Sequence, residues 1–251
     1  ESPYPPSPRV LQAIAAVSAD TLRLYPDPES VALRQAIATR YGLRTEQVFV
    51  GNGSDEVIAL TFIALFKHKL PLYFPDVSYS FYPVWSQLYG IAYTTIPVAQ
   101  DFSIAPAVYP ANNGGIIIPN PNAPTGMLMS LEAIRTLLCK STDSVVVIDE
   151  AYIDFGGVSC VPLVNQYPNL LVTHTLSKSR ALAADSWNAP EVPLAGTVDG
   201  QARAAPGVGL AQLLVFIERG AEQVAAVIAF TLGQPGGTPA PRAPRACRTC
   251  A

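Results

Sequence analysis

Val145–Phe155 reads VVVIDEAYIDF. Four β-branched residues in succession favour a strand, and an apolar run without polar alternation is the pattern of a parallel strand covered on both faces. The run ends on Asp149. A carboxylate there is costly to desolvate unless a positive group meets it. Asp149 therefore predicts a cationic partner at the edge of a buried sheet, the alternatives being a helix cap or a surface acid.

Further runs of strand length flank this one: VFV at 48–50, LPLYF at 70–74, IAYTTI at 91–96, GIIIP at 115–119 and LLVT at 170–173. Helical patterns such as SDEVIALTFIALF and LEAIRTLLCK lie between many of them. Strands alternating with helices predict an α/β fold with a mostly parallel sheet sandwiched by helices. Ligands in such sheets collect at the carboxyl ends of the strands. Near the start, Val10, Leu11, Ile14 and Val17 repeat at helical spacing after a proline-rich arm. The turn YPDPES follows, and then an amphipathic VALRQAIATRY with Ser30 as expected N-cap and Gly42 as expected C-cap.

VFVGNGSDEVIAL places a glycine-flanked turn between a strand and a helix whose first turn holds Ser54, Asp55 and Glu56. Free N–H groups at such a helix start favour a phosphate. A dinucleotide fingerprint would need a third glycine where Glu56 stands, although Asp76 could imitate the ribose-binding acid. A capped helix with no ligand is also compatible with this stretch. NLLVTHTLSK delivers Lys178 just past another strand end. A lysine in a cleft can form a Schiff base, and an aspartate facing a pyridinium nitrogen is the other half of pyridoxal phosphate (PLP) chemistry. Singly, Lys178 reads as a solvated charge; with Asp149 and the phosphate turn it does not.

At 251 residues and 49% hydrophobic content the chain can bury a sizeable core. A net charge of -3 with scattered basic residues gives no footprint for nucleic acid. No apolar run reaches bilayer length, since Glu218, Arg219 and Glu222 interrupt LAQLLVFIERGAEQVAAVIAF. The opening ESPYPPSP lacks a basic-then-apolar signal, so the cytoplasm is expected. Cys247 and Cys250 form a C-x-x-C, but neither His68 nor His174 is placed to complete a zinc site, and no metal is expected. All 11 tyrosines and every lysine precede Ala184, whereas GQPGGTPAPRAPRACRTCA at the end is a mixture that rarely packs a core.

ESPYPPSP, YPDPES, VGNGSDEVIAL, FPDVSYSFYPV, PNPNAPTG, VVVIDEAYIDFGG and TLSKSRALA occur in the order and spacing of histidinol-phosphate aminotransferases. From residue 1 to about 184 the chain thus resembles that family of fold-type-I PLP enzymes. The resemblance implies a PLP-dependent transferase large domain and a homodimer with active sites at the subunit boundary. It implies amino transfer between L-histidinol phosphate and 2-oxoglutarate, a step of histidine biosynthesis. Lys178 would carry PLP and act as general base and acid. Asp149 would keep the pyridine nitrogen protonated, Tyr152 would hydrogen-bond the ring oxygen O3′, and Tyr79 would stack on the ring. Backbone N–H groups of Ser54 and Asp55, with the hydroxyls of Thr175 and Ser177, would hold the phosphate. Tyr25 would reach the phosphate of the partner subunit, and Tyr4 would line the substrate pocket. Asn122 would contact O3′, although Ala123 occupies the position directly before Pro-Thr-Gly where the family's asparagine usually stands.

The resemblance then stops. The family's phosphate-binding arginine, eight positions after the lysine, is Ser186 here. Hydrogen bonds to charged groups contribute about 1.5–3 kcal/mol each, so cofactor affinity is expected to fall about tenfold or more. Residues 1–25 are expected to form an arm with a first helix and 26–184 an incomplete PLP-binding large domain. The small C-terminal domain is expected to be missing or replaced, with 185–251 an unmatched, frameshifted or disordered tail. The alternatives are another fold-type-I PLP enzyme, such as an aromatic aminotransferase or a phosphothreonine decarboxylase, and a non-catalytic remnant. A nicotinamide site ranks last, since it leaves Lys178, Asp149 and Tyr79 without a role.

Overall fold

A computed structural model of the chain describes residues 2–183 and the strand at 212–217. Two short helices, α1 (Pro8–Ala15) and α2 (Ala19–Leu22), precede α3 (Val31–Tyr41) and the strand β1 (Val48–Asn52). Helix α4 (Gly53–Thr61) continues into a π turn at Phe62–Phe66 and is followed by β2 (Leu72–Pro75), α5 (Phe81–Tyr89), β3 (Tyr93–Ile96) and β4 (Ile116–Pro119). Then come α6 (Leu131–Lys140), β5 (Val146–Asp149), β6 (Leu170–His174) and β7 (Gln212–Ile217).

The strands form one sheet in the order β1-β7-β6-β5-β4-β2-β3. Pairing is parallel from β6 through β5, β4 and β2 to β3, while β7 runs antiparallel to both β6 and β1. Alternate residues supply two cores, as the period of a strand requires. Ile116, Ile118, Val146, Ile148, Leu170 and Val172 pack on one face with Ile37 of α3 and Ile134, Leu137 and Leu138 of α6. Ile117, Val147 and Leu171 face the other way, against Val57, Ile58, Phe62, Phe66 and Tyr82. Each such side chain, fully buried, contributes about 1.5–3 kcal/mol. This double covering is why the strands read as unbroken apolar runs.

The six expected strands and the helices at 31–41 and 131–140 are present. Three local features differ from the sequence reading. Ser30 does not cap α3: it sits in the left-handed region at φ 46° and makes no side-chain cap. Asp27 does so instead, its Oδ2 accepting from Val31 N at 2.8 Å and its Oδ1 from Glu29 N at 3.0 Å. The turn bends back far enough for a carboxylate four residues away to reach the helix start. Helix α5 was not assigned from the sequence; Pro83 lies within its first turn, where the missing N–H costs nothing. Strand β7 was not expected either, because it falls in the stretch read as unmatched. Its LLVFI run carries no periodicity, and its place between β1 and β6 is set by pairing with distant residues.

No residue of α1 or α2 is buried. Among the described residues no helix is long and apolar enough to cross a membrane, and no cluster of metal-ligating side chains forms. The expectations for Ser186, Cys247 and Cys250, and for the tail apart from β7, lie outside the described residues.

Candidate active site

Parallel strands deliver their following loops to one edge of a sheet, and most of the residues singled out above, Tyr4 and Tyr25 excepted, lie at those strand ends or just beyond them. At the end of β1, Gly53 opens α4 at φ 76°. A Cβ on Gly51 would lie 2.7 Å from Val57 Cγ2 and 2.8 Å from Glu56 Oε2, so any larger residue would have to displace these side chains. Asn52 makes no side-chain cap. Glu56 folds back so that its Oε2 accepts from Asn52 N at 2.5 Å. Ser54 and Asp55 occupy the first turn, where N–H groups have no intrahelical acceptor. The Asp55 carboxylate accepts from the Tyr79 hydroxyl at 2.7 Å, and burial together with this charge raises the Tyr79 phenol.

Asp149 ends β5 in register with Pro119 of β4 and Thr173 of β6. It lies on the α4 and α5 face and is 5% exposed. Thr173 Oγ1 and Ala151 N donate to its Oδ1 at 3.0 and 3.2 Å, and the Tyr82 hydroxyl donates to its Oδ2 at 3.0 Å. Burial pushes the Asp149 carboxyl up, and these hydrogen bonds with the field of His174 offset only part of that. An acid raised in the folded state holds its proton more tightly than in the unfolded chain, so stability falls as pH climbs from about 4. Asp149→Asn is therefore expected to stabilise the cofactor-free chain at pH 7 more than at pH 3. Denaturant unfolding at the two pH values checks this, and an equal effect at both would count against it.

On the opposite face Glu150 Oε2 meets His174 Nε2 at 2.7 Å and accepts from Ser159 Oγ at 2.6 Å, while its Oε1 accepts from Cys160 N at 2.6 Å. The ends of β5 and β6 are thus tied on both faces, by Asp149 to Thr173 and by Glu150 to His174. Sequence reasoning missed Tyr82, Thr173, Glu150 and His174. The available signal was their position: Tyr82 lies three residues after Tyr79, Glu150 follows Asp149, and Thr173 and His174 directly precede Thr175.

The loop after β6 holds Thr175, Ser177 and Lys178. Both hydroxyl residues are buried, with Thr175 Oγ1 3.1 Å from Ser177 Oγ and accepting from Ser177 N at 3.2 Å. Lys178 Nζ lies 5.5 Å from the centroid of the Tyr152 ring, a cation–π approach, and Tyr152 is three residues past Asp149. The loop after β4 places Asn122 with its Nδ2 donating to Val77 O at 2.9 Å and to Thr125 Oγ1 at 3.0 Å. Its Oδ1 is buried without a partner. Lys178 and Tyr152 thus meet, Tyr79 joins Asp55, and Asn122 reaches the loop that leads to Tyr79. Tyr25 is fully exposed and Tyr4 is 76% exposed, so neither packs against the others within this chain. Asp76 Oδ1 accepts from Val77 N at 2.8 Å and from Val98 N at 2.9 Å.

Known proteins resemble this chain in sequence and in fold. Histidinol-phosphate aminotransferase 1 of Hydrogenovibrio crunogenus is 61% identical over 183 residues, covering 73% of this chain and 51% of its own length. The enzyme of that name from Pseudomonas aeruginosa is also 61% identical, over 73% of this chain and 52% of its own. The chain thus spans about half the length of the curated relatives it matches. Its fold is that of the histidinol-phosphate aminotransferase of Sinorhizobium meliloti, solved in complex with pyridoxal-5'-phosphate, with a TM-score of 0.71, 22% identity, and coverage of 93% of this chain and 59% of the other. The sequence model for "Aminotransferase class I and II" matches residues 1–185. That match ends where the motifs end, and over those residues the chain belongs to the class I and II aminotransferase family.

Proposed function

We propose that this chain carries the cofactor-binding half of a histidinol-phosphate aminotransferase, transferring the amino group of L-histidinol phosphate to 2-oxoglutarate to give imidazole acetol phosphate and glutamate. The observation that carries the reading is the placement of Asp149, buried and held by three donors, on the same sheet edge as Lys178, whose amine lies over Tyr152.

The residues fit PLP on three counts. Asp149 is a buried acid driven up by its surroundings, and a cationic ring N–H against it would reverse that shift. The first turn of α4 has no side-chain cap and can receive a phosphate. Asn122 Oδ1 is a buried acceptor that no protein donor satisfies. When bound, PLP supplies an electron-withdrawing ring that accepts the charge left as the substrate's Cα proton departs.

The chain's residues do the rest. Lys178 would hold the cofactor through its amine and, once displaced by substrate, take and return the Cα proton. Asp149 would hold a proton on the ring nitrogen. Tyr152 would donate to O3′ with Asn122 beside it, and Tyr79, its hydroxyl fixed by Asp55, would cover the ring face. Ser54 and Asp55 N–H groups with the Thr175 and Ser177 hydroxyls would hold the phosphate. Exposed Tyr4 and Tyr25, with an α1 that buries nothing, suit an arm that lies on a second copy in a homodimer, where Tyr25 would reach the partner's phosphate and Tyr4 the substrate. A cytoplasmic setting agrees with this chemistry.

Addition of PLP to the full chain, followed by a panel of amino donors, tests the proposal. A visible band is expected to form and to be discharged faster by L-histidinol phosphate than by other amines. Discharge by aromatic amino acids, or release of carbon dioxide from phosphothreonine, would reassign the substrate. No band at any PLP concentration would point to a non-catalytic remnant.

A further inference from the structure

Tyr82 is the residue through which the two halves of the site touch. Its side chain is wholly buried on α5, with its ring centroid 5.5 Å from Tyr79 at 80°, 5.7 Å from Phe74 and 6.1 Å from Phe62. Its hydroxyl reaches Asp149 Oδ2 at 3.0 Å. A carboxylate has about four lone-pair sites. Thr173, Ala151 and Tyr82 fill three of them at Asp149, which leaves Oδ2 one site for a further donor.

Tyr79 is held by Asp55 at its hydroxyl, by Phe81 stacked at 5.6 Å and by a T-shaped contact with Tyr82. One rigid side chain on a helix therefore contacts both the acid and the covering ring, and sites supported this way keep their geometry better than sites on loops alone. Burial and the Asp149 charge push the Tyr82 phenol well up, so it remains a donor throughout the working pH range. The titratable groups whose fields reach Asp149 or Tyr82 are Tyr79, on the loop before α5, and His174, on β6.

We infer that Tyr82 is a positioning residue that sets Asp149 and Tyr79 in register with each other across the cofactor site. The inference rests on the PLP reading above. The hydroxyl acts through Asp149 and the ring acts through Tyr79, and substitutions separate the two.

PLP affinity of the full chain, measured by absorbance titration, is the readout. Tyr82→Phe is expected to weaken binding roughly tenfold or more, as loss of a hydrogen bond to a charged group does. In an Asp149→Asn background the same change is expected to have almost no further effect, because contacting residues are not additive. Tyr82→Leu, which also removes the ring packed against Tyr79, is expected to weaken binding in both backgrounds. Equal losses from Tyr82→Phe with and without Asp149 would mean a general structural role and would overturn the inference. So would unchanged affinity in Tyr82→Phe while the wild-type chain binds PLP. A wild-type chain that binds no PLP overturns the cofactor reading and this one together.

Discussion

Lys178→Ala is expected to remove the visible band that PLP produces with the chain and to prevent borohydride from fixing the cofactor to any peptide. Amino transfer, where the wild-type chain supports it, is expected to fall by at least about 10⁴-fold, the upper range for loss of a positioned general base. The topology makes the effect this large. The other lysines, Lys67, Lys69 and Lys140, lie just before β2 or at the end of α6, at the amino edge of the sheet, and cannot replace an amine delivered by the loop after β6. Lys178→Arg is expected to fail as well, since a guanidinium does not lose its proton to become a nucleophile. The fold should survive, because Lys178 gives up one cation–π contact worth about 0.5–1 kcal/mol. Absorbance before and after reduction, with peptide mapping, is the measurement. Cofactor fixed to Lys67, Lys69 or Lys140 in the variant would move the site elsewhere.

Gly114→Ala is expected to destabilise the fold by about 3 kcal/mol or more, a large share of a typical total of about 5–15 kcal/mol. A Cβ at Gly114 would lie 2.1 Å from Leu70 O, 2.6 Å from Leu70 C and 2.7 Å from Pro71 O. These are backbone atoms, and no rotamer change can move them. The same glycine donates to Pro71 O at 2.7 Å, which pins the approach to β4 against the approach to β2. Gly126→Ala is the control: φ is 73° and nothing lies within 4 Å of the added methyl, so only the cost of the left-handed region, about 1–2 kcal/mol, applies. Urea midpoints of the two variants should differ clearly. A Gly114→Ala midpoint equal to that of Gly126→Ala would show that the strand approaches can separate without loss.

Much of the site was legible because its chemistry is local. Asp149 stood out as a charge at the end of an apolar run, Lys178 as a lysine just past another strand, and Ser54 and Asp55 as the first turn after a glycine pair. The partners of these residues were not legible. Tyr82 is 67 residues from Asp149, and Tyr79 is 24 from Asp55. Nothing in a one-dimensional pattern distinguishes Tyr82 from an ordinary core aromatic until β5 and α5 are packed together. The capping of α3 was misread for a related reason. Ser30 has the right residue type, but the turn places Asp27 closer to the free N–H group.

The sequence by itself determined the α/β class, the strands β1 to β6, the edge of the sheet where the loops gather and the family to which residues 1–185 belong. It could do so because apolar run length, glycine placement and motif order are properties of neighbouring residues. Tertiary structure alone decided the insertion of β7 between β1 and β6, the cross-strand ties of Asp149 to Thr173 and Glu150 to His174, and the bridging place of Tyr82. Those features depend on which distant strands become neighbours, and that outcome is set by burying both faces of one sheet at once.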